Sequence, residues 1–441
     1  MIINTKNNRF CLSVISALVL IGTAASVLFL RNSTSQATLK PIVDPLPQDP
    51  HIQAFFNHAE SSVYTEPYRG ITRYGDNLEQ VIVNAITQAT VSVEVAVQEL
   101  NLPGIAEALA ASHQRGIKVR LILENEYSTP DTDNRDALQI IQTAQVPQID
   151  DTADGSQGSG LMHHKFVVID NRWVITGSAN FTYSGIHGDA DNLASRGNAN
   201  ALLKIESEAI AQQFTQEFNL MWGDGPGNTP DSQFGLQKPL RLEHSTTLPT
   251  SSVTLKFSPI STTQPWAQST NGLIGQTLSQ STRSIKTALF VFSAQRLANQ
   301  LETQVNQGTQ LQALIDPGFA YRSYSEALDM LGVAIPDHRC KIEADNKIWT
   351  SPITSIGTPN LLSGDKLHHK FAVIDDSTII IGSHNWSHAA NTDNDETLLV
   401  IESPTVAAHF NREFERLYRD AYLGETPLLT QKQEAGKQRC P

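Results

Sequence analysis

Six residues recur in this chain at identical spacing, and their types are those that handle phosphate. His163, Lys165, Asp170, Gly177, Ser178 and Asn180 lie in the run LMHHKFVVIDNRWVITGSAN. His368, Lys370, Asp375, Gly382, Ser383 and Asn385 lie in LHHKFAVIDDSTIIIGSHN. Both copies read His-x-Lys-(four)-Asp-(six)-Gly-Ser-x-Asn. A neutral imidazole can attack phosphorus, and a protonated one can give its proton to a leaving oxygen. Ammonium, hydroxyl and amide groups can hold the oxygens of an anion. An adjacent histidine pair also invites a zinc reading. Neighbours on a strand diverge, however, and no cysteine or carboxylate ligand spacing accompanies them, so no metal is expected.

The spacing predicts a strand, a tight turn and a returning strand in each copy: Phe166 to Ile169 then Trp173 to Ile175, and Phe371 to Ile374 then Thr378 to Ile381. Strand side chains alternate faces, so His163 and Lys165 share a face while His164 points away. With Asn171-Arg172 as a two-residue hairpin loop, Asp170 falls opposite Trp173, Lys165 opposite Ser178 and His163 opposite Asn180. In the second copy, turning at Asp376-Ser377, Lys370 falls opposite Ser383 and His368 opposite Asn385. Gly177 and Gly382 would leave room for an anion against the backbone. Asp170 and Asp375, next to the turns, could equally cap their hairpins.

These motifs resemble the paired signature of the phospholipase D superfamily, whose members cleave or transfer phosphodiesters, and the likeness runs from about Tyr64 to Tyr418. The resemblance implies two similar lobes meeting at one active site, with no cofactor and a two-step reaction through a phosphohistidine. It makes His163 the nucleophile and His368 the general acid, with Lys165, Lys370, Asp170 and Asp375 completing the catalytic motifs. Ser178, Asn180, Ser383 and Asn385 would hold the phosphoryl oxygens. The family also places an acidic residue after the Gly-Ser-x-Asn segment to orient a histidine, and Glu396 fits that place. In the first lobe the orienting group is Asp191, Asn200 or absent: Asp191 has the right spacing, whereas aligning ALLKIES with TLLVIES sets Asn200 opposite Glu396.

The duplication extends beyond the motifs. NLEQVIVNAITQAT and NGLIGQTLSQST open the two lobes, VSVEVAVQEL and SIKTALFVFS are their first strands, and IKVRLILEN and LQALIDP their next. Between these strands lie amphipathic helices stopped by glycine, and SEAIAQQFTQEFNLMW and SPTVAAHFNREFERLY close the lobes. Strands alternating with helices predict an α/β fold, each lobe a mixed sheet flanked by helices. The first lobe is set at 51–235 and the second at 253–424. The connection falls in the Gly-, Pro-, Ser- and Thr-rich stretch 223–252, with 236–252 as its linker proper. Residues 425–441 form a C-terminal tail.

Residues 1–50 read as an export segment and linker. Lys6 and Arg9 precede an uncharged run from Phe10 to Leu30, long enough to span a bilayer. Small-residue cleavage options follow Ala25 and Ala37, so an uncleaved anchor facing the periplasmic or extracellular side and a cleaved signal both stand open. Cys340 and Cys440 could pair in an oxidising compartment or remain free. With 32 Lys and Arg against 45 Asp and Glu, the net charge of −13 disfavours a grip on long polyanions, and no basic cluster appears. For an exported enzyme the abundant phosphodiester is phospholipid, so the expectation is a monomeric phospholipase D-type phosphodiesterase. An exported nuclease acting on DNA or RNA, a phosphatidyl transferase, and an inactive phosphate-binding module are the alternatives.

Overall fold

The computed structural model describes residues 39–440, apart from 130–133, 157, 159 and 228. The charged start, the apolar run and both cleavage options therefore lie outside the described residues. Among the described residues no helix is long and apolar enough to cross a membrane.

The first lobe begins with strand β1 (Ile52–Phe56), a small hairpin β2 (Val63–Thr65) and β3 (Thr72–Tyr74), and helix α1 (Leu78–Thr87). Then come β4 (Ser92–Val97), α2 (Pro103–Gln114), β5 (Lys118–Leu123), α3 (Arg135–Thr143) and β6 (Gln148–Asp150). The motif occupies β7 (Lys165–Ile169) and β8 (Trp173–Gly177), followed by α4 (Tyr183–Ile186), β9 (Ala201–Glu206) and α5 (Glu208–Trp222). The strands of its large sheet run in the order β1-β9-β8-β7-β4-β5-β6. It is mixed, as expected: β4, β5 and β6 pair parallel, while β7 pairs antiparallel with β4 and β8.

The second lobe repeats this plan. It contains β10 (His244–Thr247), β11 (Ser252–Ser258), α6 (Thr270–Ser279), β12 (Ser284–Leu289), α7 (Gln295–Asn306), β13 (Gln310–Ile315), α8 (Glu326–Met330) and β14 (Ile356–Thr358). Its motif is β15 (Lys370–Ile374) and β16 (Thr378–Gly382), followed by α9 (His388–Thr392), β17 (Glu396–Glu402), α10 (Pro404–Tyr418), β18 (Tyr422–Leu423) and α11 (Pro427–Arg439). The central order β17-β16-β15-β12-β13 reproduces β9-β8-β7-β4-β5. Helix α11 covers the stretch read as a tail: Leu429 is buried in the second lobe's core, and Cys440 is bonded to Cys340. The stretch read as a linker is likewise pinned. Strand β10 lies within it, and buried Lys238 pairs with Glu217 at 2.5 Å and Asp395 at 2.7 Å.

The hairpin register differs from expectation by one residue. Ile169 pairs with Trp173 and Ile374 with Thr378, so each turn has three residues and Lys165 continues opposite Gly177, not Ser178. The cause is a left-handed pair at each turn, Asp170-Asn171 with φ of 53° and 49° and Asp375-Asp376 with 52° and 57°. Asp and Asn tolerate that conformation better than other side chains. The motif glycines also serve a different purpose from the one expected. A Cβ on Gly177 would stand 2.2 Å from the Ala201 carbonyl, and one on Gly382 would stand 2.0 Å from the Thr397 carbonyl. They admit a neighbouring strand's backbone, not an anion.

Helices α5 and α10 join the two lobes into one core. Their aromatic faces reach across the lobe boundary: Phe410 of α10 meets Phe56 of β1 at 5.0 Å between centroids, and Phe214 of α5 meets Phe257 of β11 at 5.3 Å. Both helices contribute to a single buried cluster that spans both sheets. Separating the lobes would expose these rings to water, so they are held as one body. Phe410→Ala should destabilise the protein by about 3–5 kcal/mol, the usual loss for a buried Phe. Denaturant unfolding followed by tryptophan fluorescence and circular dichroism should show one shifted transition; two separate transitions would show lobes that fold independently.

Candidate active site

The strands leading into the two motifs place the histidines by binding across the lobe boundary. The residue before His163, Met162, bridges to Asp395, and the residue before His368, Leu367, bridges to Ala199. His163 N donates to the Asp395 carbonyl and His368 N to the Ala199 carbonyl, each at 3.0 Å. The residues that follow these bridge points are Glu396 and Asn200. Each lobe therefore orients the other lobe's histidine. His163 Nδ1 lies 2.8 Å from Glu396 Oε2, and His368 Nδ1 lies 3.0 Å from Asn200 Oδ1. The Asn200 amide donates from Nδ2 to the Gly185 carbonyl at 2.7 Å. Its Oδ1 is thereby left as an acceptor, which assigns the proton on His368 to Nδ1. The second ring nitrogen, Nε2, remains on each histidine for chemistry.

Of the alternatives for the first lobe, the orienting position belongs to Asn200. Asp191 is exposed on the loop between α4 and β9. Ser178 and Ser383, expected at the phosphate, are fully buried and support the orienting groups. Ser178 Oγ donates to Asn200 Oδ1 at 2.8 Å, and Ser383 Oγ donates to Glu396 Oε2 at 2.6 Å. Asn180 and Asn385 are half-buried at equivalent places, and the Oδ1 of each has no hydrogen-bond partner among the described residues. These amides can turn a donor toward an anion. Asp170 and Asp375 are not gathered with the histidines. They lie beyond the far ends of β7 and β15 from the lysines, about 16 Å away at strand rise. Asp170 accepts from the backbone of Thr90, Val91 and Ser92, and Asp375 from Thr282, Arg283 and Ser284. Those bonds hold the carboxyls below their ordinary range against the opposing effect of burial. They anchor each hairpin to the start of its neighbouring strand.

The lysines are buried with little to neutralise them. Lys165 Nζ donates to the His163 carbonyl at 2.7 Å and to Gln98 Oε1 at 3.2 Å. Lys370 Nζ donates to the His368 carbonyl at 2.8 Å and stands 4.8 Å from the centre of the Phe290 ring. Burial lowers Lys165 to about 7 and holds Lys370 well below the ordinary lysine range, with Lys165 adding to the effect. Burial, then the two lysines, also holds His163 and His368 well below the usual imidazole value. Burial raises Glu396. The site thus sets two lysines and two histidines around one carboxylate, Glu396, and an anion bound there would favour their charged forms.

The second histidine of each pair faces the opposite way, as strand alternation requires. His164 Nδ1 lies 2.9 Å from Thr397 Oγ1 with Glu217 of α5 at 3.6 Å, and His369 lies 2.9 Å from Glu413 of α10. Sequence reasoning missed a further matched pair, Glu124 and Asp316. Each follows the second parallel strand of its lobe and accepts a backbone N–H just before a motif histidine, Glu124 from Met162 and Asp316 from Leu367. Burial, with Asp151 adding, raises Glu124 to about 7, and burial raises Asp316. The alignment of IKVRLILEN with LQALIDP already held the signal. Among the described residues, the carboxylates close enough to share a cation are Asp154, Asp224 and Asp231. They are exposed, and Asp154 is engaged by the backbone of Asp231 and Ser232.

A family model described as "Cardiolipin synthase, PLD-like domain" matches residues 82–222 and 274–418, covering both motifs. The mitochondrial cardiolipin hydrolase of Canis lupus familiaris is 28% identical over 149 residues, 34% of this chain and 52% of that protein. The chain thus spans about half the length of that relative. The phospholipase D of Rickettsia felis is 26% identical over 218 residues, 48% of this chain and 95% of that protein. In fold, the chain is similar to the phosphatidylserine synthase of Haemophilus influenzae Rd KW20, with a TM-score of 0.57, 13% identity, and coverage of 89% of this chain and 92% of that one.

The lowered lysines carry a pH prediction. A lysine with a depressed value is charged only below it, so the contribution of Lys165 to anion affinity should be held below about pH 7 and fall as pH rises past it. Dimethyl phosphate stays a monoanion throughout and isolates this effect. Its inhibition constant should rise up to about tenfold per pH unit above 7. Lys165→Arg, charged at every working pH, should flatten the rise. An inhibition constant unchanged from pH 6 to 9 in the unsubstituted protein would show both lysines permanently charged.

Proposed function

Because the chain belongs to the phospholipase D superfamily and is at that level a phosphodiesterase-type enzyme, we propose that it hydrolyses the phosphodiester of a phospholipid through a phosphohistidine on His163. The observation that carries the reading is the unequal pair of orienting groups. Attack by His163 Nε2 on phosphorus leaves positive charge on the imidazole, and the Glu396 carboxylate at its Nδ1 stabilises that charge as it develops. His368 faces the neutral amide of Asn200, so its imidazolium is not stabilised by a carboxylate and gives up its proton readily.

In the first step the bond from His163 Nε2 to phosphorus forms while the bond to the leaving oxygen breaks; His368, protonated on both nitrogens once the bound phosphodiester offsets the burial and the two lysines that hold it low, gives that oxygen its proton from Nε2. In the second, His368, now neutral, takes a proton from water as its oxygen attacks phosphorus, and the phosphorus–nitrogen bond breaks. Lys165, Lys370, Asn180 and Asn385 hold the non-bridging oxygens.

Phospholipid as substrate is supported by the relatives, which include a cardiolipin hydrolase and a phospholipase D. It is also supported by the net charge of −13, which opposes long polyanions. The rim of the lobe boundary adds an apolar element. Leu193 and Leu362 are 71% and 52% exposed on loops joined where Asn192 Nδ2 donates to the Ser363 carbonyl at 2.6 Å. The apolar run from Phe10 to Leu30 fits export to an envelope surface, where phospholipid is at hand.

Three measurements test the reading. On a p-nitrophenyl phosphodiester, whose leaving group needs no proton, His368→Asn should still form acid-labile phosphate on His163, and His163→Asn should form none. The reverse pattern would exchange the two roles; full activity in either variant would remove that histidine from the mechanism. Glu396→Gln should lower kcat by about a hundredfold by misplacing His163 and leaving its charge unbalanced. A panel of phosphatidylglycerol, cardiolipin and single-stranded DNA then separates substrates. Release of phosphatidic acid with DNA untouched supports the lipid reading, and DNA cleavage with intact lipid overturns it.

A further inference from the structure

The second lobe holds a cavity of about 700 Å³, within the size range of small-molecule sites and lined by none of the motif residues. Its walls include Trp266, Leu297 and Ile260, with Asn271, Arg296, His388 and Thr392 among the polar lining. The first lobe shows what such a space takes.

Helices α1 and α6 correspond turn for turn, as do α2 and α7, so Glu79 matches Asn271 and Gly104 matches Arg296. The capped turns after the two motifs likewise match Tyr183 with His388 and His187 with Thr392. In the first lobe these four residues surround the ring of Tyr68. Its hydroxyl donates to Glu79 Oε1 at 2.5 Å and accepts from Gly104 N at 3.1 Å. Its ring meets Tyr183 edge-on at 4.8 Å and His187 at 5.7 Å. Tyr68 arrives on the hairpin β2–β3. Between β11 and α6 the second lobe has a single short turn, Trp266–Gln268, in its place.

One oxygen does two jobs in the first lobe. It caps the start of α2, whose N-cap residue Leu102 makes no side-chain cap, and it donates to an acceptor on α1. The second lobe presents the same two needs. Helix α7 has no side-chain cap at Ala294. Asn271 is 4% exposed, and its Oδ1 has no hydrogen-bond partner among the described residues. A hydroxyl can both accept from a helix N-terminus and donate to an amide oxygen through one atom, as that of Tyr68 does in the first lobe toward Gly104 N and the Glu79 carboxylate. Trp266 and Arg296 both line the cavity, with the guanidinium 4.2 Å over the indole ring, so a flat pair borders the space. Residues 1–38 contain no tyrosine or tryptophan to supply such a ring.

We propose that this cavity binds a small molecule carrying a hydroxyl on an aromatic ring, placed as Tyr68 is placed in the first lobe. The site is separate from the histidine pair and stands whether or not the catalytic reading holds.

The probe is p-cresol, with toluene as the control that lacks the hydroxyl, titrated against the full chain by isothermal calorimetry and ligand-observed NMR. p-Cresol should saturate at millimolar concentration, and toluene should bind at least tenfold more weakly. Ala294→Asp gives α7 a cap of its own, so it should hold or raise the melting temperature while weakening p-cresol at least fivefold. Toluene should be unaffected. Should that variant not fold, Trp266→Leu should weaken p-cresol by a similar factor. p-Cresol bound no better than toluene, or bound undiminished in the folded variant, overturns the proposal.

Discussion

The backbone bridges from Met162 to Asp395 and from Leu367 to Ala199 are the constraint on which the site depends. Each joins the residue before a motif histidine to the residue before the side chain of the other lobe that meets its Nδ1. Neither histidine has its orienting partner within its own lobe, so half of the duplication cannot assemble the site alone. The constraint explains why the lobes are welded over so large an area. The shared aromatic layer of α5 and α10, the buried Lys238 bridging Glu217 and Asp395, and the loop contact in which Asp365 accepts from Ser195, Arg196 and Gly197 all fix one lobe against the other. A shift of one ångström between lobes would misalign both imidazoles at once.

Within this near-twofold frame the two halves have diverged where it matters for direction. Glu396 stands opposite Asn200, and Gln98 beside Lys165 stands opposite Phe290 beside Lys370. A symmetric pair of histidines would have no preferred nucleophile. In the proposed mechanism the single carboxylate breaks the tie electrostatically, and the Phe290 ring beside His368, packed in turn on Phe319, adds to the difference. Burial supplies the rest, because it makes every charge in the site dependent on the anion it receives.

Much of this was legible in the sequence. The alternation of strand and helix gave both mixed sheets, and the repeated sextet located the histidines and lysines. The alignment of ALLKIES with TLLVIES had already set Asn200 against Glu396. What failed did so for local reasons. The hairpin register slipped by one because two consecutive left-handed residues at Asp170-Asn171 and Asp375-Asp376 make a three-residue turn, and nothing in strand alternation reports φ. The motif glycines and serines read as phosphate contacts because their types suit an anion. Their neighbours, the Ala201 and Thr397 carbonyls and the orienting side chains, come from strands distant in sequence. The pairing of each histidine with the opposite lobe was invisible because an internal alignment compares equivalent positions and says nothing about which copies touch.

The central claim is that both motifs serve one phosphorus atom. A crystal structure of the protein with orthovanadate tests it most directly, because vanadate adopts the five-coordinate geometry of in-line phosphoryl transfer. The account predicts a single vanadate held apically between His163 Nε2 and His368 Nε2, with Lys165, Lys370, Asn180 and Asn385 on its equatorial oxygens. Two separate anions, one at each motif, or a vanadate bonded to neither histidine, would contradict it.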